Sequence, residues 1–343
     1  MIISGYNIAT INFLQRKDRF DMKKKMKSLL GLLLAAAMCL TACGGGASEF
    51  TDEAVLKIGD QEIMKSEYMV YLYTTTKSFV SAAGEEVWNM DFDGQTADEL
   101  VEERTIGTIQ SVIAAKEYAA ANGIFLKEEE KAAAKAAAEQ FVAGVSEEDL
   151  AKMGVTAETL QPMMEDSYLY TLVHQSIAEE CEVDAADMDA YYQENREQMK
   201  KDYTSLKLQT ILQDDAKKAE EAADRAKAGE DFVSLFEEYD IDPNAENVGE
   251  ITVFQNYLQG SFGLTDELEA GDVAGPLQIG EGYFILKALE KTVPSDEEVK
   301  ELAESNYTTE VQTSYTEARF SELMKDQKVE KIKGVWESLE KFH

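Results

Sequence analysis

Proline, histidine and cysteine are scarce in this chain: four, two and three in 343 residues. So few prolines leave long stretches free to be helical. The histidines, His174 and His343, lie far apart, and the pattern holds no His/Cys metal-ligand cluster and no EF-hand-type acidic spacing. We therefore expect no metal and no cofactor. His174 sits in a helix-like stretch (SYLYTLVHQSIAEE) and reads as a packing or surface residue. No CxxC is present, which excludes a redox motif, and Cys181 reads as a small apolar filler. Positive charge is also short, with 33 Lys and Arg against 67 Asp and Glu. That balance repels nucleic acid and anionic headgroups, so no nucleic-acid partner is expected. It suits a well-hydrated protein that attracts basic chains weakly. The longest apolar run, Leu29 to Leu40, spans 12 residues, against the roughly 20 needed to cross a bilayer as a helix.

That run is nevertheless informative. It follows a basic stretch (MKKKMK from Met22) and precedes Leu40-Thr41-Ala42-Cys43 and three glycines. A basic region, a short apolar region and a small-residue site make a secretory signal. The cysteine after the site resembles a bacterial lipobox, which implies acylation of Cys43 and a lipid anchor on the outer face of the cell membrane. A plain signal with an incidental cysteine, or a short membrane anchor, are the alternatives. Residues 1–21 read as an extension upstream of Met22 as the start. The stretch 1–42 carries seven basic and two acidic side chains, so the 301 residues after it have a net charge of −39.

The remainder is long enough for two domains. Residues 43–53 read as a tether. Val55 to Ile63 (VLKIGDQEI) is a hairpin pattern around Gly59-Asp60. Helical spacing follows over 64–82, a loop over 84–96, and a long helix over 97–122 that Gly123 stops. Helix formers fill 127–141. Short helices are expected over 147–153, 156–164 and 167–181, broken at Gly154 and Pro162, with another over 184–200. The pattern changes at Tyr203. Leu206 to Gln213 alternates like a strand, helices follow over 215–228 and 232–239, and 240–263 is turn-rich. Gly271 to Pro276 reads as a loop, 282–289 as a strand, 295–326 as a long helix and 329–335 as a last strand. The fold class is α+β: one small module between helical arms.

Within that module, LQTIL (Leu208 to Leu212), AKAGEDFVSLFEEYDIDP (Ala226 to Pro243) and LEAGDVAGPLQIGEGYFILKALEK (Leu268 to Lys291) stand in order, with VLKIGDQEIMKSEY far upstream. Together they resemble the parvulin (PpiC-type) peptidyl-prolyl isomerases and, over most of the chain, extracytoplasmic foldases of the PrsA/SurA type. The resemblance implies a helical chaperone lobe split between 54–200 and 292–343, with a parvulin-like domain, an antiparallel sheet with helices, inserted at 204–291. It implies unfolded or proline-containing secreted polypeptides as partners. It also implies two histidines on the first and last strands, but those positions here hold Thr210 and Phe284. The acidic position is kept as Asp242, and the apolar floor for proline falls on Ile251, Phe254, Leu258 and Phe262.

Rotation about an X-Pro bond faces a barrier of about 18–20 kcal/mol because the amide has partial double-bond character. A catalyst must favour the twisted amide, with an apolar seat for the ring and polar groups matched to the carbonyl. Here Asp242 would tune the polar network and Thr210 would supply one hydroxyl, whereas Phe284 offers no hydrogen bond. Weak or absent catalysis is expected. Met153, Met163, Met164, Tyr168 and Tyr170 suggest either an adaptable client groove or helix-packing core. A non-catalytic lipoprotein that binds a solute or assembles the envelope is the other class considered. A solute binder should show repeated βαβ units, and none are seen.

Overall fold

The computed structural model describes residues 50–242 and 249–343. The signal region, Cys43 and Pro243 lie outside the described residues. The described residues form two compact units, one of Val183–Glu310 and one of 50–182 together with Val311–His343. We call them the inner and outer units.

In the outer unit, β1 (Ala54–Ile58) and β2 (Gln61–Met64) form the expected hairpin. Gly59, at φ 59°, supplies the left-handed turn residue. Helix α1 (Lys65–Ala83) follows directly. A short turn of helix over Glu85–Asn89 and the two-residue strands β3 (Asp91–Phe92) and β4 (Gln95–Thr96) occupy the stretch read as a loop. Helix α2 (Ala97–Asn122) starts at a capping box, in which the Thr96 hydroxyl accepts from the Glu99 amide and the Glu99 carboxylate accepts from the Thr96 amide. Then come α3 (Glu128–Gly144), α4 (Glu147–Met153) and α5 (Ala157–Glu179).

Helix α5 corrects the break expected at Pro162. The helix runs straight through it. Proline forfeits one backbone bond and costs about 3 kcal/mol in a helix interior. Four buried residues, Leu160, Met164, Val173 and Ile177, anchor the helix on both sides of it. Met153 and Met164 are 0% and 3% exposed and belong to the main core; Met163 and Tyr168 pack against it, and Tyr170 packs in a neighbouring cluster with Phe320. These residues serve helix packing.

The inner unit opens with α6 (Ala185–Asp202), capped by Asp184. Next come β5 (Ser205–Gln213), α7 (Ala216–Lys227) and α8 (Phe232–Tyr239). Two elements, β6 (Ile251–Phe254) and α9 (Gln255–Phe262), lie in the stretch read as turns. Strand β7 (Val273–Ile279) replaces the loop expected at 271–276 and pairs with β8 (Gly282–Thr292). Its register shifts between Ala274 and Leu277, and Pro276 sits in that irregularity, the place where a strand tolerates proline. The sheet is antiparallel, in the order β6-β5-β8-β7. One face carries Ile211 and Ile285 under α7 and α8. The other carries Leu206, Leu208, Leu286 and Ala288.

Helix α10 (Asp296–Met324) begins in the inner unit, where Val299 and Ala303 pack against Tyr192 and Met199 of α6. Its later residues belong to the outer unit, where Phe320 packs with Ala115, Tyr118 and Val173. Strand β9 (Val329–Lys331) pairs with β1, and α11 (Lys333–Trp336) follows. The last strand is thus three residues long, because the chain turns helical where a strand was expected to continue. Cys181 is half-buried with its thiol near the Val311 carbonyl, and burial pushes the His174 pKa down. No described helix is long and apolar enough to cross a membrane.

Candidate functional site

The second face of the inner sheet is only partly covered. Leu258 of α9 and Leu268 are buried on it, 0% and 6% exposed. Around them Ile251, Tyr257, Phe262, Leu277 and Phe284 remain half-exposed. The Phe262 and Phe284 rings meet edge to face at 5.6 Å, and Tyr257 meets Phe262 at 6.0 Å. An apolar patch with rings at its rim is a seat for a ring-sized aliphatic group.

Strand pairing places the polar groups. Thr210 stands opposite Leu286, and Leu212 opposite Phe284, so Thr210 lies on the same face one step from the aromatic rim. Its hydroxyl is engaged: Oγ1 donates to the Gly249 carbonyl at 3.1 Å. Gly249 is buried, at φ 61°. At the end of β5 the Leu212 amide donates to Asp240 Oδ1 at 2.8 Å, and the Ile241 amide donates to the Leu212 carbonyl at 3.1 Å. The Asp242 amide donates to Asp240 Oδ2 at 3.1 Å. Asp242 is thereby held beside the strand by Asp240.

Of the residues expected at the site, Thr210, Phe284, Ile251 and Phe262 share this face. Leu258 shares it as buried floor, out of reach of a ligand. Asp242 stands at the strand end. Phe254 points elsewhere, packing edge to face on Tyr203 at 5.7 Å. Sequence reasoning missed Tyr257, hidden with α9 in the turn-rich stretch, and Asp240, which reads in sequence as only another acid. Neither histidine lies in Val183–Glu310. Among the described residues no three His, Cys, Asp or Glu side chains gather to hold a metal ion.

Burial raises the Asp240 pKa above its ordinary 3.8, against the pull of the two amides it accepts from. A raised pKa means that the native state holds the proton more tightly than the unfolded chain. Asp240 therefore stabilises most below the unfolded value, and its contribution is lost as pH rises through the folded one. The expected result is an Asp240 carboxyl resonance titrating above 3.8 by NMR, and an Asp240→Asn variant that loses this part of the pH dependence. Titration at or below 3.8 would refute it.

Residues 183–301 match the family model described as the PPIC-type PPIASE domain. The chain carries a parvulin-type domain. Over 323 residues it is 23% identical to the foldase protein PrsA of Caldanaerobacter subterraneus subsp. tengcongensis, covering 91% of this chain and 97% of that protein. Foldase protein PrsA of Halalkalibacterium halodurans is 25% identical over 283 residues, covering 79% and 75%. Among solved structures, foldase protein PrsA from Streptococcus pneumoniae aligns at 18% identity with a TM-score of 0.41, covering 69% of this chain and 92% of that one. The chain is similar to PrsA foldases over most of its length, and the patch described above lies within the residues that match the PPIC-type domain.

Proposed function

We propose that this protein is an extracytoplasmic foldase and chaperone, anchored to the membrane by a lipid on Cys43. In this reading its parvulin-type domain grips proline-containing segments of secreted polypeptides with little catalysis of their isomerisation. The observation that carries the reading is the pairing on one sheet face of a half-exposed aromatic patch with Thr210 and Phe284, where the family resemblance sets two histidines. The patch offers a seat for the pyrrolidine ring. The polar half of the reaction is poorly served. Phe284 has nothing to donate, and the Thr210 hydroxyl already donates to Gly249. Stabilising the twisted amide needs donors or acceptors aimed at it. Without them, binding of the ring alone favours ground and transition states equally and leaves the barrier unchanged.

A protease-coupled cis/trans assay on proline tetrapeptides tests this. The unaltered protein should give little acceleration, and a Thr210→His, Phe284→His double variant should gain activity. Phe262→Ala should weaken the protein's suppression of aggregation of an unfolded secretory protein. Strong catalysis by the unaltered protein, abolished by Phe262→Ala, would overturn the degenerate-site reading and leave a working isomerase. Failure both to isomerise and to suppress aggregation would overturn the foldase reading itself.

A further inference from the structure

The outer unit contains a groove whose present occupant is part of the same chain. Helices α1 and α2 form its walls through Tyr68, Leu72, Thr76, Asp98 and Val101. Residues 336–343 lie across it. After α11 this segment has no regular secondary structure. It is held by side chains at a spacing of three: Trp336 tilts onto Tyr68 at 5.0 Å, Leu339 lines the groove, and Phe342 meets Tyr73 edge to face at 5.1 Å. Phe342 is the deepest of them, 6% exposed and part of the outer core.

The flanking contacts are charged. Lys341 reaches Asp98 at 2.5 Å, and the His343 ring reaches the other Asp98 oxygen at 2.8 Å while stacking on Trp88 at 3.9 Å. Burial works against the Asp98 charge, but the Lys341 and His343 hydrogen bonds more than offset it and hold its pKa below the usual value. Glu102, on the same helix, pairs with Lys331.

The segment does not fill the space. A half-open pocket of about 190 Å³ remains beside it, lined by both the segment and the helices. An occupant held by side chains, beside an open pocket and on an acidic rim, leaves its place to a chain that offers the same groups. Removing Phe342 bares Tyr73 to water, so the replacement must itself bring an aromatic or large aliphatic residue. We propose that the groove between α1 and α2 is a second client-binding site, for unfolded segments with aromatic or leucine residues spaced by three and a neighbouring lysine or arginine. Residues 336–343 occupy it in cis until such a segment displaces them. The inference rests on the chaperone reading above and supplies the client chemistry.

The test uses a fluorescein-labelled peptide of sequence VWESLEKFH, identical to Val335–His343, followed by anisotropy. The unaltered protein should bind it weakly. A Leu339→Ala, Phe342→Ala variant, checked for folding by circular dichroism, should bind it at least tenfold more tightly, and adding Asp98→Asn should weaken that binding. An unfolded secretory protein should compete. If the double variant fails to fold, Lys341→Glu loosens the segment at an exposed ion pair and should raise peptide affinity severalfold. A folded variant with no gain in affinity would overturn the proposal, as would a folded Lys341→Glu protein with none. Peptide binding that unfolded protein cannot compete away would overturn the client role. Aggregation suppression by the unaltered protein in any of these cases would leave the foldase reading intact, so the two failures are distinguishable.

Discussion

Replacing Phe232 by alanine is expected to cost about 3–5 kcal/mol, the range for truncating a buried aromatic side chain. The ring is 1% exposed at the first turn of α8. Its surroundings explain why the high end applies. The packed face of α7 presents Ala219, Ala222, Ala223 and Ala226. Methyl groups have no rotamers with which to swing into a void, so the cavity stays open and its cost is realised in full. Domains are stable by only about 5–15 kcal/mol, and the inner unit should melt roughly 10–20 °C lower. Thermal hydrogen exchange at Ile211 and Ile285 would read the inner unit apart from the outer one, whose Ile109 amide should be unaffected. An unchanged midpoint at Ile211 would mean that α8 does not seat this ring on the sheet.

Gly249→Ala is expected to open the candidate site locally, at a cost of about 2–4 kcal/mol. At φ 61° any other residue is strained, by roughly 1–3 kcal/mol. An alanine methyl would also stand 2.7 Å from Thr210 Oγ1 and closer still to the Thr210 carbonyl oxygen. That atom is backbone of the central strand β5 and cannot yield, so the 249–250 segment would have to move. Such a shift breaks the Thr210–Gly249 bond, worth about 0.5–1.5 kcal/mol, and strains the Leu208–Ile251 pairing next to it. The expected observation is faster exchange at Thr252 and Val253 with unchanged protection at Ile285. Equal protection in both proteins would show that the loop accepts a side chain there.

The helices were the most legible part of the sequence, because their signals are local. The helix expected over 232–239 matches the observed bounds of α8, Phe232–Tyr239, where Asp231 caps the first turn by accepting from the Ser234 amide. The β1–β2 hairpin was equally plain from Gly59-Asp60. What failed to show in sequence depends on partners distant in the chain. Strand β7 contains Gly275-Pro276 and reads as a loop; only pairing with β8 makes it a strand. Strand β6 is four residues long and exists as an edge against β5. With it went α9 and Tyr257, so one ring of the aromatic rim was invisible. The continuity of α5 through Pro162 was illegible for the same reason, since the packing that offsets the proline comes from other helices. The expectation for Thr210 and Phe284 came from resemblance. That Thr210 spends its hydroxyl on Gly249 is a fact of three dimensions.

The pairing of β1 with β9 bears on how this molecule is made. Leu56 meets Lys331 across that ladder, 275 residues later in the chain. A chain emerging from its amino end can complete the inner unit, whose described residues are contiguous, long before the β2-β1-β9 sheet of the outer one gains its last strand. Once formed, the inner unit also brings its own ends together, because α6 lies against the start of α10 at Tyr192, Met199, Val299 and Ala303. The long loop between β1 and β9 is then shortened to two helical arms, and closing it loses less chain entropy. The order of folding therefore follows from chain connectivity: the inner unit forms first and shortens the loop that the β1–β9 pairing must close. A lesion such as Phe232→Ala should slow assembly of a lobe in which that residue has no place.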